Sequence, residues 1–183
     1  MEMALPAQPI INVVVQPAPF DGHAATDTLL AAIPDPALVG AVVTFSGRVR
    51  ADAAAAAPRR RSTGEVSSIP QNVSGLFLEH YPGMTERVLE ELAQTACARW
   101  PLAGCVVIHR HGALHVGEEI VFVATASSHR DAAFEAANYL MDILKTSAPF
   151  WKKELTAEGG PGADMDSWVA AKQSDDSAAD RWG

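Results

Sequence analysis

Hydrophobic and polar residues alternate with a period of two along residues 42–50. Small or apolar side chains fall on one face, namely Val43, Phe45, Gly47 and Val49. Polar side chains fall on the other face, namely Thr44, Ser46, Arg48 and Arg50. This period predicts a half-buried strand that has two arginines on its polar face. An earlier β-branched segment, Ile10–Gln16, also predicts a strand.

The rest of the sequence predicts three more strands and three helices. The strands are residues 75–81, 105–111 and 118–127, and the helices are residues 23–33, 85–100 and 128–147. The last helix has one apolar stripe, formed by Phe134, Ala137, Met141, Leu144 and Ala148. Pro149 ends that helix. Two of the strand pairs look like hairpins or meanders, which favours an α+β fold over a doubly wound parallel sheet.

The pattern divides the chain into one domain and a tail. Residues 1–155 are expected to form a single domain with its own core. Within it, residues 51–74 are small, polar and interrupted by proline, which predicts a long mobile loop between two strands. Residues 156–183 are rich in Gly, Asp, Ser and Ala, and predict a flexible acidic tail with one short helix near residues 167–172.

Composition narrows the function classes. The net charge of -8 argues against a nucleic-acid binder, because affinity for a phosphate backbone requires a basic surface. No apolar run approaches the ~20 residues that cross a bilayer, and the N-terminus does not resemble a signal peptide. The two cysteines, Cys97 and Cys105, do not form a zinc-binding or disulfide pattern. We therefore expect a cytoplasmic protein with two reduced, mostly buried thiols.

Cationic side chains gather at the ends of the predicted elements. Arg48 and Arg50 end a strand, His129 and Arg130 open a helix, and Lys145 lies in the last turn of that helix. Helix N-termini favour anions, so His129 and Arg130 could reinforce an anion site. The same residues also fit simpler interpretations, because Lys145 suits a helix C-terminus and His129 suits a helix cap or the surface.

Two lysines separated by seven residues form the most informative pair. Pro149 predicts that Lys152 lies on a bend that returns near Lys145, beside the aromatic pair Phe150 and Trp151. Two ammonium groups that approach one another in a partly desolvated place have lowered pKa values and can act as acid, base or nucleophile. The alternative is that residues 152–154 are a solvated run of charges.

Other kinds of site lack support in the sequence. His109 and His111 share a face of a predicted strand, and His115 follows, but no carboxylate or cysteine falls at a supporting spacing for a metal. The sequence also lacks a Gly-rich phosphate loop and a serine nucleophile elbow. We therefore expect no metal and no cofactor.

Long motifs in the chain resemble the large, catalytic subunit of molybdopterin synthase. They run in order from Gly40 to Glu154 and include GAVVTFSGRVR, LEHYPGMTE, RWPL, VIHRHG, GEEIVFV, SSHRDAAFEA and MDILKTSAPFWKKE. The resemblance implies an α/β hammerhead-type core with an added antiparallel β lobe. It also implies a sulfurtransferase without a cofactor, whose large subunits form a homodimer at the centre of a heterotetramer. The partner is a small ubiquitin-like sulfur-carrier subunit with a thiocarboxylated C-terminus, and the substrate is cyclic pyranopterin monophosphate, which becomes the dithiolene of molybdopterin.

The resemblance also assigns roles to individual residues. Lys145 and Lys152 match the two essential lysines of the family. The substrate-binding positions that it implies are Arg48, Val49, Arg50, His129, Arg130, Lys153 and Glu154. In the family, the histidine and arginine that match His129 and Arg130 usually come from the neighbouring large subunit. The loop at residues 51–74 is longer than the family pattern, and Lys172 stands where an arginine is usual.

Two rival functions stay open at the level of the sequence. A non-catalytic module could bind a ubiquitin-like sulfur-carrier tail, in which case Lys145 and Lys152 would be dispensable. A different anion-processing enzyme, such as a phosphoesterase, would need a metal cluster or a nucleophile, for which the sequence gives no signal.

Overall fold

The computed structural model describes residues 8–50, 73–156 and 182. This part of the chain forms two β-sheets and three α-helices. In chain order the elements are β1 (Ile10–Gln16), α1 (Gly22–Ala32), β2 (Ala41–Arg48), β3 (Val73–His80), α2 (Met84–Arg99), β4 (Leu102–Arg110), β5 (Gly112–His115), β6 (Glu119–Ser127), α3 (Arg130–Ser147) and β7 (Phe150–Thr156). A single-turn helix, Pro36–Leu38, lies between α1 and β2.

The larger sheet has four strands in the order β1-β4-β6-β2. β1 is parallel to β4, whereas β4 and β2 are both antiparallel to β6. Every residue of β4 is buried, because apolar side chains cover both faces of the sheet. Residues of α2 and α3 form the core on one face, and α1 packs on the other. This arrangement explains the nearly continuous apolar sequence of the central strands.

The smaller sheet has three antiparallel strands in the order β5-β3-β7. One of its faces, here called the inner face, carries Leu76, Leu78 and Leu114, which are buried together with Val49. Ile120 of β6 packs against the same cluster. These contacts attach the end of β2 and the start of β6 to the smaller sheet.

The α+β class predicted from the sequence is confirmed, and the structure adds two strands. β5 and β7 were not predicted, and β2 ends at Arg48 rather than at residue 50. The prediction that Lys152 lies on a bend is wrong, because residues 150–156 pair with β3 and form β7. The predicted loop at 51–74 and the predicted tail helix near 167–172 lie outside the described residues, apart from Val73 and Ser74, which belong to β3.

The described part of the tail, Trp182, packs on α2 and α3. Its ring meets Trp100 and Tyr139 edge-on, with 5.6 Å between ring centroids in each case. Its indole Nε1 donates a hydrogen bond of 2.9 Å to Asp142, and its carbonyl accepts one of 2.8 Å from Arg99. These contacts anchor the chain end to the two helices.

Two expectations about the chemistry of the whole chain can be compared with the structure. Cys97 and Cys105 are both free thiols, as expected, and their sulfur atoms lie 3.8 Å apart between α2 and β4. Among the helices of the described residues, none has the length and apolar character needed to span a bilayer.

Candidate active site

A short connection joins the two predicted catalytic lysines. Lys145 lies exposed in the last turn of α3, where a cation interacts favourably with the helix dipole. The helix is closed by a hydrogen bond from the Ala148 N–H to the Leu144 carbonyl. Only Ala148 and Pro149 separate α3 from β7, so the strand that carries Lys152 begins directly where the helix ends.

Alternation along β7 places neighbouring lysines on different faces of the smaller sheet. Lys152 pairs with Leu78 and Lys153 pairs with Phe77. Paired residues of antiparallel strands share a face. Since Leu78 is buried on the inner face, Lys152 also belongs to the inner face, where it is half-buried.

The face of β7 that carries Lys153 is occupied by an ion pair. The Lys153 ammonium lies 3.3 Å from a carboxylate oxygen of Glu79. The predicted substrate-binding role of Lys153 therefore gains no support, because Lys152 and Lys153 belong to opposite faces. Glu154 occupies the strand position that pairs with Leu76, the register of the inner face.

Three histidines and Phe150 form a cluster beside Lys152. Phe150 and Lys152 are two residues apart in β7, so their side chains share the inner face. The Phe150 ring stacks on His109 of β4, with 3.8 Å between centroids and 19° between planes. The ring centroid of His80 in β3 lies 6.4 Å from that of Phe150 and 4.1 Å from that of His111. This cluster was not predicted, although the sequence analysis singled out His109 and His111 as a pair.

The protonation state of this cluster follows from its burial. His109 is only 4% exposed, and desolvation lowers its pKa to about 4, with a smaller contribution from the positive charge of Lys152. Its Nδ1 lies 2.8 Å from the Arg110 carbonyl, which can only accept, so Nδ1 carries the proton of the neutral ring. Desolvation and the neighbouring His80 also lower the pKa of His111, while Glu86 raises it. His109 is therefore uncharged at neutral pH.

The end of β2 brings the predicted arginines close to the smaller sheet. Val49 is 3% exposed and packs with the inner-face leucines, while its N–H donates to the Glu118 carbonyl. This packing gives Val49 a structural role and leaves its predicted substrate contact without support. Arg48 and Arg50, on either side of it, are exposed. Arg48 donates to the Gly117 carbonyl at 3.1 Å and lies 3.8 Å from Glu119.

His129 and Arg130 lie at the opposite end of α3 from Lys145. His129 is the N-cap residue and Arg130 begins the helix, and both side chains are exposed. Fifteen helical steps of ~1.5 Å place Arg130 about 22 Å from Lys145 along the helix axis. A single chain therefore does not bring these two predicted groups into one site.

Within residues 8–50, 73–156 and 182, no group of three or more His, Cys, Asp or Glu side chains could hold a metal ion. In the cluster, the His80 ring instead contacts His111 and Phe150, and the His109 ring stacks on Phe150.

Comparisons with known proteins give a consistent set of relatives. The family model described as "MoaE protein" matches residues 15–147. The chain is 46% identical over 171 residues to a molybdopterin synthase catalytic subunit of Salmonella typhimurium, a match that covers 93% of this chain and 97% of the relative. It is 50% identical over 143 residues to the protein of the same name from Escherichia coli, which covers 78% of this chain and 81% of the relative.

Solved structures share the fold. The molybdopterin biosynthesis MoaE protein of Burkholderia ambifaria superimposes with a TM-score of 0.70 at 38% identity, over 95% of this chain and 99% of the other. A molybdopterin synthase structure from Staphylococcus aureus has a TM-score of 0.62 at 24% identity, over 87% of this chain and 96% of the other, and it supports the fold alone.

Proposed function

The chain belongs to the MoaE protein family, and from this premise we propose that it acts as the catalytic subunit of a molybdopterin synthase. It is then a sulfurtransferase. It moves sulfur from the thiocarboxylated C-terminus of a small ubiquitin-like carrier subunit to cyclic pyranopterin monophosphate, which yields the dithiolene of molybdopterin. The sulfur arrives already reduced on the carrier, so the reaction needs no redox cofactor.

One observation carries the assignment of the catalytic groups. Lys152 lies half-buried on the inner face of the smaller sheet, and only two residues separate its strand from the helix whose last turn carries Lys145. Opening the cyclic phosphate and removing an oxygen atom both require proton transfer. Lys145 is the main acid–base group beside the thiocarboxylate. Lys152 stabilises developing negative charge or positions the substrate.

The remaining cations supply counter-charge to the anionic substrate. Arg48 and Arg50 flank Val49, which is buried in the same cluster as Leu78 of β3. Leu78 pairs with Lys152, so the end of β2 lies against the strand next to β7. Arginine suits this task because its planar fork binds phosphate oxygens in a bidentate manner.

A second copy of the chain completes the site in this proposal. His129 and Arg130 lie about 22 Å from Lys145 of their own chain along the helix axis, and in this proposal they serve a pterin in a neighbouring subunit. The surface that surrounds them suits such contact. Phe134, one helical turn after Arg130, is 55% exposed, and Phe45 on the adjacent edge strand β2 is 41% exposed. Exposed aromatic residues of this kind are typical of subunit interfaces. The assembly is a homodimer of catalytic subunits with one carrier bound to each.

Two finer properties belong to the same proposal. The four-stranded sheet with its helices corresponds to an α/β hammerhead-type core, and the three-stranded sheet corresponds to the added antiparallel lobe. The protein acts in the cytoplasm, in keeping with its two free thiols and with a carrier-borne sulfur that must stay reduced.

Reconstitution of the reaction tests the proposal. Purified protein is mixed with thiocarboxylated carrier and cyclic pyranopterin monophosphate, and the dithiolene product is assayed. Lys145→Ala should abolish product while carrier binding stays within about threefold of wild type, because its exposed side chain is not part of the core. Carrier binding without product by the wild-type protein would favour the non-catalytic module. Product formation by Lys145→Ala at the normal rate would remove Lys145 from its role.

A further inference from the structure

The buried imidazole of His109 has no part in the reaction described above, yet it touches the strand that carries Lys152. Its ring stacks on Phe150 at 3.8 Å between centroids, and the 19° interplanar angle makes this a face-to-face contact. Phe150 is the first residue of β7 and lies two positions before Lys152 on the same face. His109 is therefore one contact between β4, a central strand of the larger sheet, and the start of the strand that carries Lys152.

The ring itself is held in a fixed orientation. The Nδ1–H donates to the Arg110 carbonyl at 2.8 Å, and β4 is buried along its whole length. Because the ring resists protonation until about pH 4, it stays uncharged at neutral pH. The charged or titratable groups that act on it are Lys152 of β7, His111 directly after β4 and His80 of β3, and all three favour the neutral ring.

The start of β7 is held by several contacts, of which the stack on His109 is one. The Phe150 N–H donates to the Ala148 carbonyl at 2.8 Å, and the Thr85 hydroxyl donates a long hydrogen bond of 3.5 Å to the Pro149 carbonyl. Residues 150–152 also pair with β3. A small rotation of the strand at Phe150 would move the ammonium at the end of the long Lys152 side chain, and a displacement of about 1 Å can lower a rate by about 100-fold.

We propose that His109 is a positioning residue for Lys152, which acts through its stacking contact with Phe150. This inference rests on the proposed function, because it concerns the rate of the sulfur transfer that Lys152 assists. The ring and its lack of charge are the properties that matter; the proton on Nδ1 serves to orient the ring.

Two substitutions of His109 distinguish the effect of the ring from the effect of the hydrogen bond. His109→Phe retains a flat ring that can stack on Phe150 and loses the hydrogen bond to Arg110. His109→Asn places an amide N–H where Nδ1 was and loses the ring. His115→Gln is the matched control, since His115 is an exposed histidine of β5 outside the cluster. Phe150→Leu removes the other half of the stack.

The expected results are a separation of kcat from KM and a rescue by the aromatic variant. His109→Asn and Phe150→Leu should each lower kcat by about tenfold or more, with KM for the carrier within about twofold of wild type. The double variant should be no slower than the slower single variant, because both substitutions remove the same contact, the stack of His109 on Phe150. His109→Phe and His115→Gln should stay within about threefold of wild type.

Other outcomes overturn the inference. They are a kcat within threefold of wild type for His109→Asn or Phe150→Leu, fully additive losses in the double variant, or a loss in His109→Phe equal to that in His109→Asn. If His109→Asn does not fold, Phe150→Leu and His109→Phe decide by the same criteria. A wild-type protein without activity, or a fully active Lys152→Ala variant, would instead count against the proposed function.

Discussion

Lys152 and Lys153 are neighbours in the chain but lie on opposite faces of the three-stranded sheet. Lys152 pairs with the buried Leu78, whereas Lys153 pairs with Phe77 and its ammonium lies 3.3 Å from Glu79. Two lysines of the same strand thus allow an internal comparison between the proposed catalytic cation and a cation held in an ion pair.

The first prediction uses this pair. Lys152→Ala should lower the rate of dithiolene formation by about 100-fold or more, because it removes the cation that stabilises developing negative charge. Lys153→Ala should stay within about threefold of wild type, since its ammonium forms a partly exposed ion pair with Glu79 on the other face of the sheet. Single-turnover assays with thiocarboxylated carrier measure both. Equal losses of rate in the two variants would show that the face of the sheet on which a lysine lies does not decide whether it takes part in the reaction.

The second prediction concerns pH and the stability of the fold. The pKa of His109 is about 4 in the folded chain and about 6.5 in an unfolded chain, so the unfolded state binds more protons between these values. The stability that comes from the neutral ring is complete above about pH 6.5. It falls as the pH drops, and is lost below about pH 4. The total effect is about 3 kcal/mol.

Urea unfolding at several pH values measures this effect. The free energy of unfolding of the wild-type protein should fall by about 3 kcal/mol more than that of His109→Phe between pH 7 and pH 4. His115→Gln serves as the control, and its curve should follow that of the wild type. Parallel curves for wild type and His109→Phe would mean that folding does not lower the pKa of His109.

The third prediction concerns the anchored chain end. Trp182→Ala removes two edge-on aromatic contacts and a hydrogen bond to Asp142, and should lower the free energy of unfolding by about 2 kcal/mol. Trp182→Phe keeps an aromatic ring and loses the indole N–H, so about 1 kcal/mol is expected. Denaturant midpoints give both values. An unchanged midpoint for Trp182→Ala would show that the packing of Trp182 does not stabilise the fold.

The sequence predicted the elements whose patterns are long and regular. β1, the three helices and the central strands of the larger sheet were found because burial imposes a clear period on them. β5 was missed because four residues are too few to show a period. β7 was missed because Pro149 suggested a bend after the helix, whereas the strand structure comes from pairing with β3, some seventy residues earlier in the chain.

The site was predicted less completely than the fold, for a similar reason. The motif that contains Lys145 and Lys152 is contiguous, so the sequence displays it. The stack of His109 on Phe150 joins residues about forty positions apart, and no local pattern reveals it. The axial distance between Arg130 and Lys145 could have been derived from the length of the helix alone, and it favours a site in which these two groups come from different chains.

Complementation between two inactive chains tests the central claim, which is that the active site combines the two lysines of one chain with His129 and Arg130 of another. Lys145→Ala chains and His129→Ala/Arg130→Ala chains are co-expressed with different tags, and mixed dimers are isolated through both tags. Each mixed dimer then contains one intact site, so we predict about half of the wild-type rate of dithiolene formation. Mixed dimers that are no more active than the two parent variants would contradict the account.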